Sequence, residues 1–309
     1  MKILVTGASG FIGRNILIGL PKSWDVTAIY RSASDFVDFL QSNSLHHVKA
    51  VQLDLCDAQA VKKLSPEHKK FDACIYLAAN GDPVLSVANP SKDLIDNTLS
   101  LINLLVETEV GHMVYFSSGA VYDGLQGRVD PGTAVTPLLP YAISKWASER
   151  YVLHAQKEGH VRIASIVRFF GAYGPYEPAR KIYGKLVKAF AIDQATEFTI
   201  RGDGENLIDA MHVHDTIRAV LLILKKSKEN KILDLYSGNA VKVKELVTIA
   251  ANTFGIDVKI NFVGHVPEFI EFYSSDTYMS EYLQFKPAIS LQDGLTSFHK
   301  WISNRRIKA

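Results

Sequence analysis

The chain has 309 residues, enough for one large α/β domain or two unequal lobes, and its 47% hydrophobic content excludes a disordered chain. With 34 Lys and Arg against 32 Asp and Glu the net charge is +2, so composition points to neither a nucleic-acid nor a membrane partner. The two cysteines, Cys56 and Cys74, sit in apolar, strand-like contexts that read as buried thiols of a reducing compartment; with no C-x-x-C, no His cluster and no signal-like or membrane-spanning run, the expectation is a cytoplasmic protein without a metal.

The first element is the apolar run Ile3-Leu4-Val5, a buried strand predicted over 2–6, which runs directly into Thr6-Gly7-Ala8-Ser9-Gly10-Phe11-Ile12-Gly13. A glycine turn between a strand and a helix, here spaced G-x-x-G-x-x-G, opens a dinucleotide-binding βαβ unit. Gly7 permits the tight turn, Gly10 removes a Cβ from the path of a pyrophosphate, and Gly13 lets the helix pack closely on the strand. The amides that follow Ser9, those of Phe11 and Ile12 among them, point at the phosphates from the positive end of the helix. Further strands are predicted at 25–30, 48–53, 72–77, 112–117 and 161–168, alternating with helices at 11–20, 34–42, 57–64, 91–108 and 141–158. Runs such as Ala73-Cys74-Ile75-Tyr76-Leu77 and Met113-Val114-Tyr115-Phe116 are continuously apolar, as strands covered on both faces are. The fold class expected is therefore α/β, a doubly wound parallel sheet of Rossmann type.

Beyond residue 170 the turn-rich loop Gly171-Ala172-Tyr173-Gly174-Pro175-Tyr176-Glu177-Pro178 is followed by a helix at 181–192, a short strand at 197–200 and a helix near 213–226, the start of a smaller mixed α/β lobe. A strand near 232–236 returns to the main sheet. The expected division is a cofactor domain of 1–170 plus 232–236, and a substrate lobe of 171–309 interleaved with the sheet. The basic end, Asn304-Arg305-Arg306-Ile307-Lys308, reads as a solvated tail.

Two further segments carry chemistry. Tyr141 and Lys145, in Tyr141-Ala142-Ile143-Ser144-Lys145, stand at i and i+4 just after Pro140, so they share one face of a helix at its start. Phe116-Ser117-Ser118-Gly119-Ala120 closes a parallel strand at the carboxyl edge of the sheet, where open α/β folds bind ligands. Transfer of hydrogen at a carbinol carbon requires a proton to move at its oxygen, and Tyr141 is the candidate acid or base. Its ordinary pKa of about 10 is high for that task; the Lys145 ammonium would favour the phenolate, a drop of two to three pH units being worth roughly 3–4 kcal/mol. Lys145 would also hold the nicotinamide ribose, and Ser118 would orient the substrate oxygen, with Ser117 as the neighbouring alternative.

With the glycine turn, the Ser-Ser strand end and Tyr-x-x-x-Lys in order, the chain resembles the extended short-chain dehydrogenase/reductase family, and more narrowly its nucleotide-sugar epimerase, dehydratase and reductase branch. The resemblance runs nearly end to end and implies further roles. Asp54 and Leu55 resemble a loop that contacts adenine, and Leu77, Ala78 and Ala79 a strand end that lies along the cofactor. Asn97 is similar to a helix Asn that braces the site beside the cofactor, and Ser117 joins the cofactor set. The segment from Val167 to Pro175, with Phe169 and Gly171, resembles a nicotinamide and substrate loop, and Arg201-Gly202-Asp203-Gly204-Glu205 through Asp215 a second substrate segment. A homodimer through a four-helix interface made by 91–108 and 141–158 is implied as well, as is a role in polysaccharide biosynthesis.

The departures narrow the activity. Ile208 stands where many nucleotide-sugar enzymes carry an Arg for the diphosphate, which leaves Arg180 and Arg201, or Lys181 and Lys185, to replace it; Gly171 stands where an Asn is usual. Gly119 and Ala120 replace the acidic pair of 4,6-dehydratases, and Ala120 and Tyr176 replace the Cys and His of 3,5-epimerising enzymes. At the end of the second strand no acid is present for a ribose 2′-hydroxyl: Arg31 either pairs with the 2′-phosphate of NADP, with Ser32 as a further donor, or is solvated or stacked on the adenine of NAD. NADP is favoured. The expected activity is reduction of a keto group on a nucleotide-linked sugar, the substrate set being Ser118, Gly119, Gly171, Arg180 and Arg201. The alternatives are a C4 epimerase with retained NAD, a reductase of a non-nucleotide carbonyl, and a non-catalytic dinucleotide sensor.

Overall fold

The apolar runs form a seven-stranded sheet in which every pairing is parallel. In spatial order its strands are Lys231–Leu235, Val161–Phe169, Glu109–Phe116, Lys70–Tyr76, Lys2–Thr6, Asp25–Tyr30 and Val48–Gln52. The computed structural model describes residues 1–64, 69–266 and 270–306. Each strand divides its side chains between two cores, as a period of two demands: Ile3 and Val5 face one cluster with Ile16, Leu17, Ala219 and Val220, while Leu4 faces the other with Leu101, Leu104 and Val152. Helices thus cover both faces. Strand order reverses between Lys2–Thr6 and Lys70–Tyr76, which opens a crevice at their carboxyl ends.

Beyond this sheet a third core gathers Tyr173, Tyr183, Leu186, Phe190, Leu246, Ala250, Leu295 and Phe298. It lies among the helices Ile182–Val187, Val243–Thr253 and Leu291–Arg306 and the parallel pair Glu197–Arg201 with Lys259–Val263. The chain interleaves: helix Val213–Lys226 and the aromatic segment with Tyr278, Leu283 and Phe285 pack on the main sheet.

Several local features differ from expectation. Helix Pro83–Ala88 precedes the helix near 91–108, which starts at Pro90 and passes through a π-helical turn, Ile95–Leu99, before Ser100–Glu107. Gln126–Val129 pairs in parallel with Glu271–Ser274, a contact with no local signal. Cys74 is buried in its strand, but Cys56 is only half-buried and lies in a turn; burial and then the neighbouring Asp54 push its thiol up to about 12. Asn304 and Arg305 are exposed, as expected of the basic end, and Arg305 also lies 4.9 Å from the Tyr176 ring and 4.8 Å from Trp301, while Ile307 and Lys308 lie outside the described residues. Among the described residues no helix is long and apolar enough to cross a membrane.

Candidate active site

The glycine turn lies at the strand reversal. Gly7 has φ +61°, and a Cβ there would come within 2.8 Å of the Ala78 amide nitrogen. Thr6 Oγ1 accepts the amides of Leu77 (3.1 Å) and Ala78 (3.2 Å), so both walls of the crevice are joined at this point, with Ala79 exposed next in line. A Cβ on Gly13 would lie 2.4 Å from the Gly7 carbonyl oxygen, so close helix–strand packing excludes any side chain there. Helix Phe11–Gly19 begins at Gly10 with no side-chain cap and no acid in its first turn. Such an end leaves amide donors for an anion, and the residues therefore fit a dinucleotide pyrophosphate.

At the outer end Arg31 and Ser32 are exposed, and Asp54 turns its carboxylate back to the Cys56 amide (2.9 Å) while Leu55 is buried in the second core. Arg31 Nη1 lies 3.7 Å from Asp96, whose carboxylate is also held by Lys92 at 2.7 Å. The guanidinium expected to wait for a 2′-phosphate thus has an acid beside it.

The catalytic candidates meet where the strand Glu109–Phe116 ends against helix Pro140–Lys157. Three consecutive strand-end residues engage three successive turns of that helix. Ser118 stands beside Tyr141 with its Oγ accepting the Ala120 amide at 3.1 Å, the Phe116 carbonyl accepts from Lys145 Nζ, and Ser117 Oγ donates to Glu149 Oε1 at 2.6 Å. Lys145 is 3% exposed, and its ammonium stands 4.6 Å from the Tyr115 ring centroid. Burial brings Lys145 down to about 7, against the opposing pull of Glu149 and Asp93. Tyr141 is raised above its ordinary value, by enclosure of its ring and then by Asp93, while the Ser118 bond acts the other way. In the chain without a dinucleotide, burial thus holds the tyrosine above its ordinary value, while Lys145 is drawn to a backbone carbonyl.

Two residues of the expected cofactor set are occupied within the protein. The Ser117 hydroxyl faces inward to Glu149. Asn97, in the π-helical turn, donates to Asp93 (2.9 Å) and Ser144 (3.0 Å) and accepts the Asn80 amide (2.7 Å), so it ties the loop after Lys70–Tyr76 to the catalytic helix. Sequence reading missed the partners behind this corner. Arg168 binds Glu149 through Nε (3.0 Å) and Nη2 (2.9 Å) and Tyr122 through Nη1 (3.1 Å); Tyr122 donates to Asp234 (2.9 Å). The available signal was Glu149 at i+4 from Lys145, an acid on the inward face of the same helix.

The substrate candidates are less concerted. A Cβ on Gly119 would lie 3.2 Å from the Phe170 ring, and Gly171, at φ +138°, faces Ala210. Phe169 is half-buried, with its ring 5.4 Å from Phe116. Arg180 is paired with Asp82 (3.1 Å), which caps helix Pro83–Ala88 beside Tyr141, whose amide donates to Ser86 Oγ (3.2 Å). Arg201 is exposed at the end of its own strand, and Ile208 pairs with Val241 in a two-stranded ladder. Lys242 (2.7 Å) and Lys244 are both taken by Glu205.

A family model described as NAD dependent epimerase/dehydratase family matches residues 3–236. An uncharacterized UDP-glucose epimerase of Bacillus subtilis is 25% identical, covering 98% of both chains. A dTDP-glucose 4,6-dehydratase of Streptomyces niveus is 27% identical, over 99% of this chain and 94% of the relative. The crystal structure of the UDP-glucuronic acid 4-epimerase of Bacillus cereus, in complex with UDP-glucuronic acid and NAD, superposes with a TM-score of 0.86 at 25% identity, over 99% of this chain and all of that one.

Proposed function

This chain belongs to the NAD dependent epimerase/dehydratase family, in the nucleotide-sugar branch of the extended short-chain dehydrogenases, and from that premise we propose that it is a nucleotide-sugar 4-epimerase with retained NAD. One observation carries this choice: the corner offers a single proton-moving group, Tyr141, flanked by Ser118 and Lys145, with Gly119 and Ala120 where a second acid or base would be required. That set suffices to oxidise and re-reduce one carbon and lacks the acid for eliminating water. The glycine turn, the Thr6–Ala78 junction and the Asp54 loop would hold the dinucleotide, which supplies reversible two-electron oxidation of a carbinol. Tyr141 takes the proton from the sugar hydroxyl and returns it; Ser118 holds the oxygen on which that proton moves. Burial leaves Tyr141 high in the chain alone, and the positive charge of a bound oxidised dinucleotide would oppose that shift.

Arg31 supports a second reading, an NADPH-dependent ketoreductase, but its proximity to Asp96 weakens it, since a 2′-phosphate would meet that carboxylate. The helix faces expected to make a dimer do expose apolar side chains, Ile95, Leu99 and Val106 on one helix and Ile143 and Trp146 on the other, and a second copy of the chain is proposed to cover them. We also assign residues 1–170 with 232–236 to cofactor binding, the remainder mainly to substrate, and the protein, with both cysteines free, to the cytoplasm. Mass spectrometry of the cofactor released from the purified protein, followed by NMR of UDP-glucose, UDP-N-acetylglucosamine and UDP-glucuronic acid incubated with it, tests the proposal. Bound NAD and a 4-epimer are expected; an empty protein that oxidises only NADPH would replace the epimerase by the reductase.

A further inference from the structure

Resting on the reading of Ser118, Tyr141 and Lys145 as the proton-moving set, we infer that Glu149 is a positioning residue for that set: it fixes the register between the strand end and the catalytic helix and presents a negative charge to Lys145.

The geometry is a ladder of three rungs. Tyr141, Lys145 and Glu149 follow one another at four-residue intervals, so they lie along one face of helix Pro140–Lys157. Lys145 and Glu149 bind the Phe116 carbonyl and the Ser117 hydroxyl, and Tyr141 faces Ser118, so the three meet three neighbours at one strand end. Of these rungs the Glu149 one is deepest: its side chain is 0% exposed and the Arg168 side chain 3%. A buried carboxylate needs partners for both oxygens, and Glu149 has them: Oε1 accepts from Ser117 and Arg168 Nε, and Oε2 from Arg168 Nη2. Arg150 reaches the same carboxylate from the surface at 3.5 Å. Because Arg168 also binds Tyr122, and Tyr122 binds Asp234, the rung is anchored to strands Val161–Phe169 and Lys231–Leu235. Ser117 therefore cannot turn without breaking a charge-assisted bond, and Ser118, the next residue, is carried in one orientation toward Tyr141.

The charge has a second consequence. Lys145 is faced by Tyr141 and Glu149 from its own helix, by Asp93 from Pro90–Leu94, and by the Tyr115 ring and the Phe116 carbonyl from the strand, with Arg168 behind Glu149. Burial favours neutral Lys145; Glu149 is the first of the two acids that oppose it. The cation exists below the lysine pKa and is lost above it. Removing the Glu149 charge lowers that pKa, so the alkaline limb of any activity that needs the cation moves to lower pH.

Glu149→Gln keeps the shape and an oxygen for Ser117 but not the charge; Glu149→Asp keeps the charge but withdraws it from the rung. For Glu149→Gln we expect NADH affinity within about three-fold of the parent, kcat down roughly ten-fold or more with little change in KM, and an alkaline limb lower by about half a pH unit. For Glu149→Asp we expect the fall in kcat without the moved limb. If Glu149→Gln does not fold, the kcat and NADH readouts apply to Glu149→Gln with Arg168→Gln, which leaves no uncompensated charge and, with a cation lost beside the anion, moves the limb less. Titration of Lys145 by NMR of Cε-labelled lysine, assigned with Lys145→Met, needs no substrate and so separates failure of this inference from failure of the epimerase reading. An unmoved Lys145 titration in Glu149→Gln, or losses of kcat and NADH binding that only track a lower melting temperature, would overturn the positioning role.

Discussion

At the strand-end corner Ser117, Ser144, Lys145 and Glu149 are each no more than 5% exposed and every one is bonded to protein, whereas on the substrate side Arg180 is 58% exposed and Arg201 lies open. The difference is one of kind. The corner is built from the middle of the fold, a strand end and one long helix, where the donors are bonded to buried acceptors. The substrate side is built from loops and short ladders whose charges pair with whatever acid is near, Arg180 with Asp82 and the two lysines with Glu205. On the proposed assignment, the proton-moving set is held by buried hydrogen bonds, and selection of a substrate is left to groups that can re-pair.

The largest effects are expected at the buried corner. Tyr141→Phe removes one oxygen and no packing, so turnover should fall by roughly 10²-fold or more while NAD(H) affinity stays within about two-fold; near-parental turnover in a stopped assay would remove Tyr141 from the mechanism. Gly13→Ala places a methyl group 2.4 Å from the Gly7 carbonyl oxygen. Such overpacking should cost about 1–3 kcal/mol in denaturant unfolding and weaken cofactor binding with it. An unchanged unfolding midpoint would mean that the helix moves away freely, and that the cofactor side is less rigid than its contacts imply.

The substrate side should yield smaller effects. Arg180→Ala breaks a half-exposed pair, so KM for a nucleotide-sugar should rise by about three- to ten-fold, with NADH binding unchanged. Arg201→Ala provides the parallel test; if neither variant moves KM, and UDP, GDP, CDP and dTDP all fail to bind in calorimetry, the substrate is not nucleotide-linked. The smallest change is expected at Arg31→Ala. With Arg31 leaning on Asp96, NAD affinity should shift by less than about two-fold. A selective loss of NADP(H) binding by an order of magnitude would restore the 2′-phosphate role and favour the reductase.

Much of this molecule was legible from local pattern. The inner strands carry apolar runs because both sheet faces are buried, and Ile3-Leu4-Val5 followed by the glycine turn marks the crevice because only a residue without a side chain fits at Gly7 and Gly13. Tyr141 and Lys145 stand out by helical spacing together with the Ser117-Ser118 strand end that precedes them in the chain. Those features are properties of neighbours in the chain. What required the tertiary structure are contacts between distant residues: Ser117 with Glu149, Arg168 with Tyr122, Asp82 with Arg180, and the pairing of Gln126–Val129 with Glu271–Ser274. None has a signature in a short window, because an acid that will be buried against an arginine looks, in sequence, like an acid on a solvated helix. The direction of the Tyr141 shift belongs to the same class. A tyrosine and a lysine four residues apart suggest a lowered pKa; the depth to which both are enclosed, and the carbonyl that draws the lysine aside, are set only when the strand end closes on the helix.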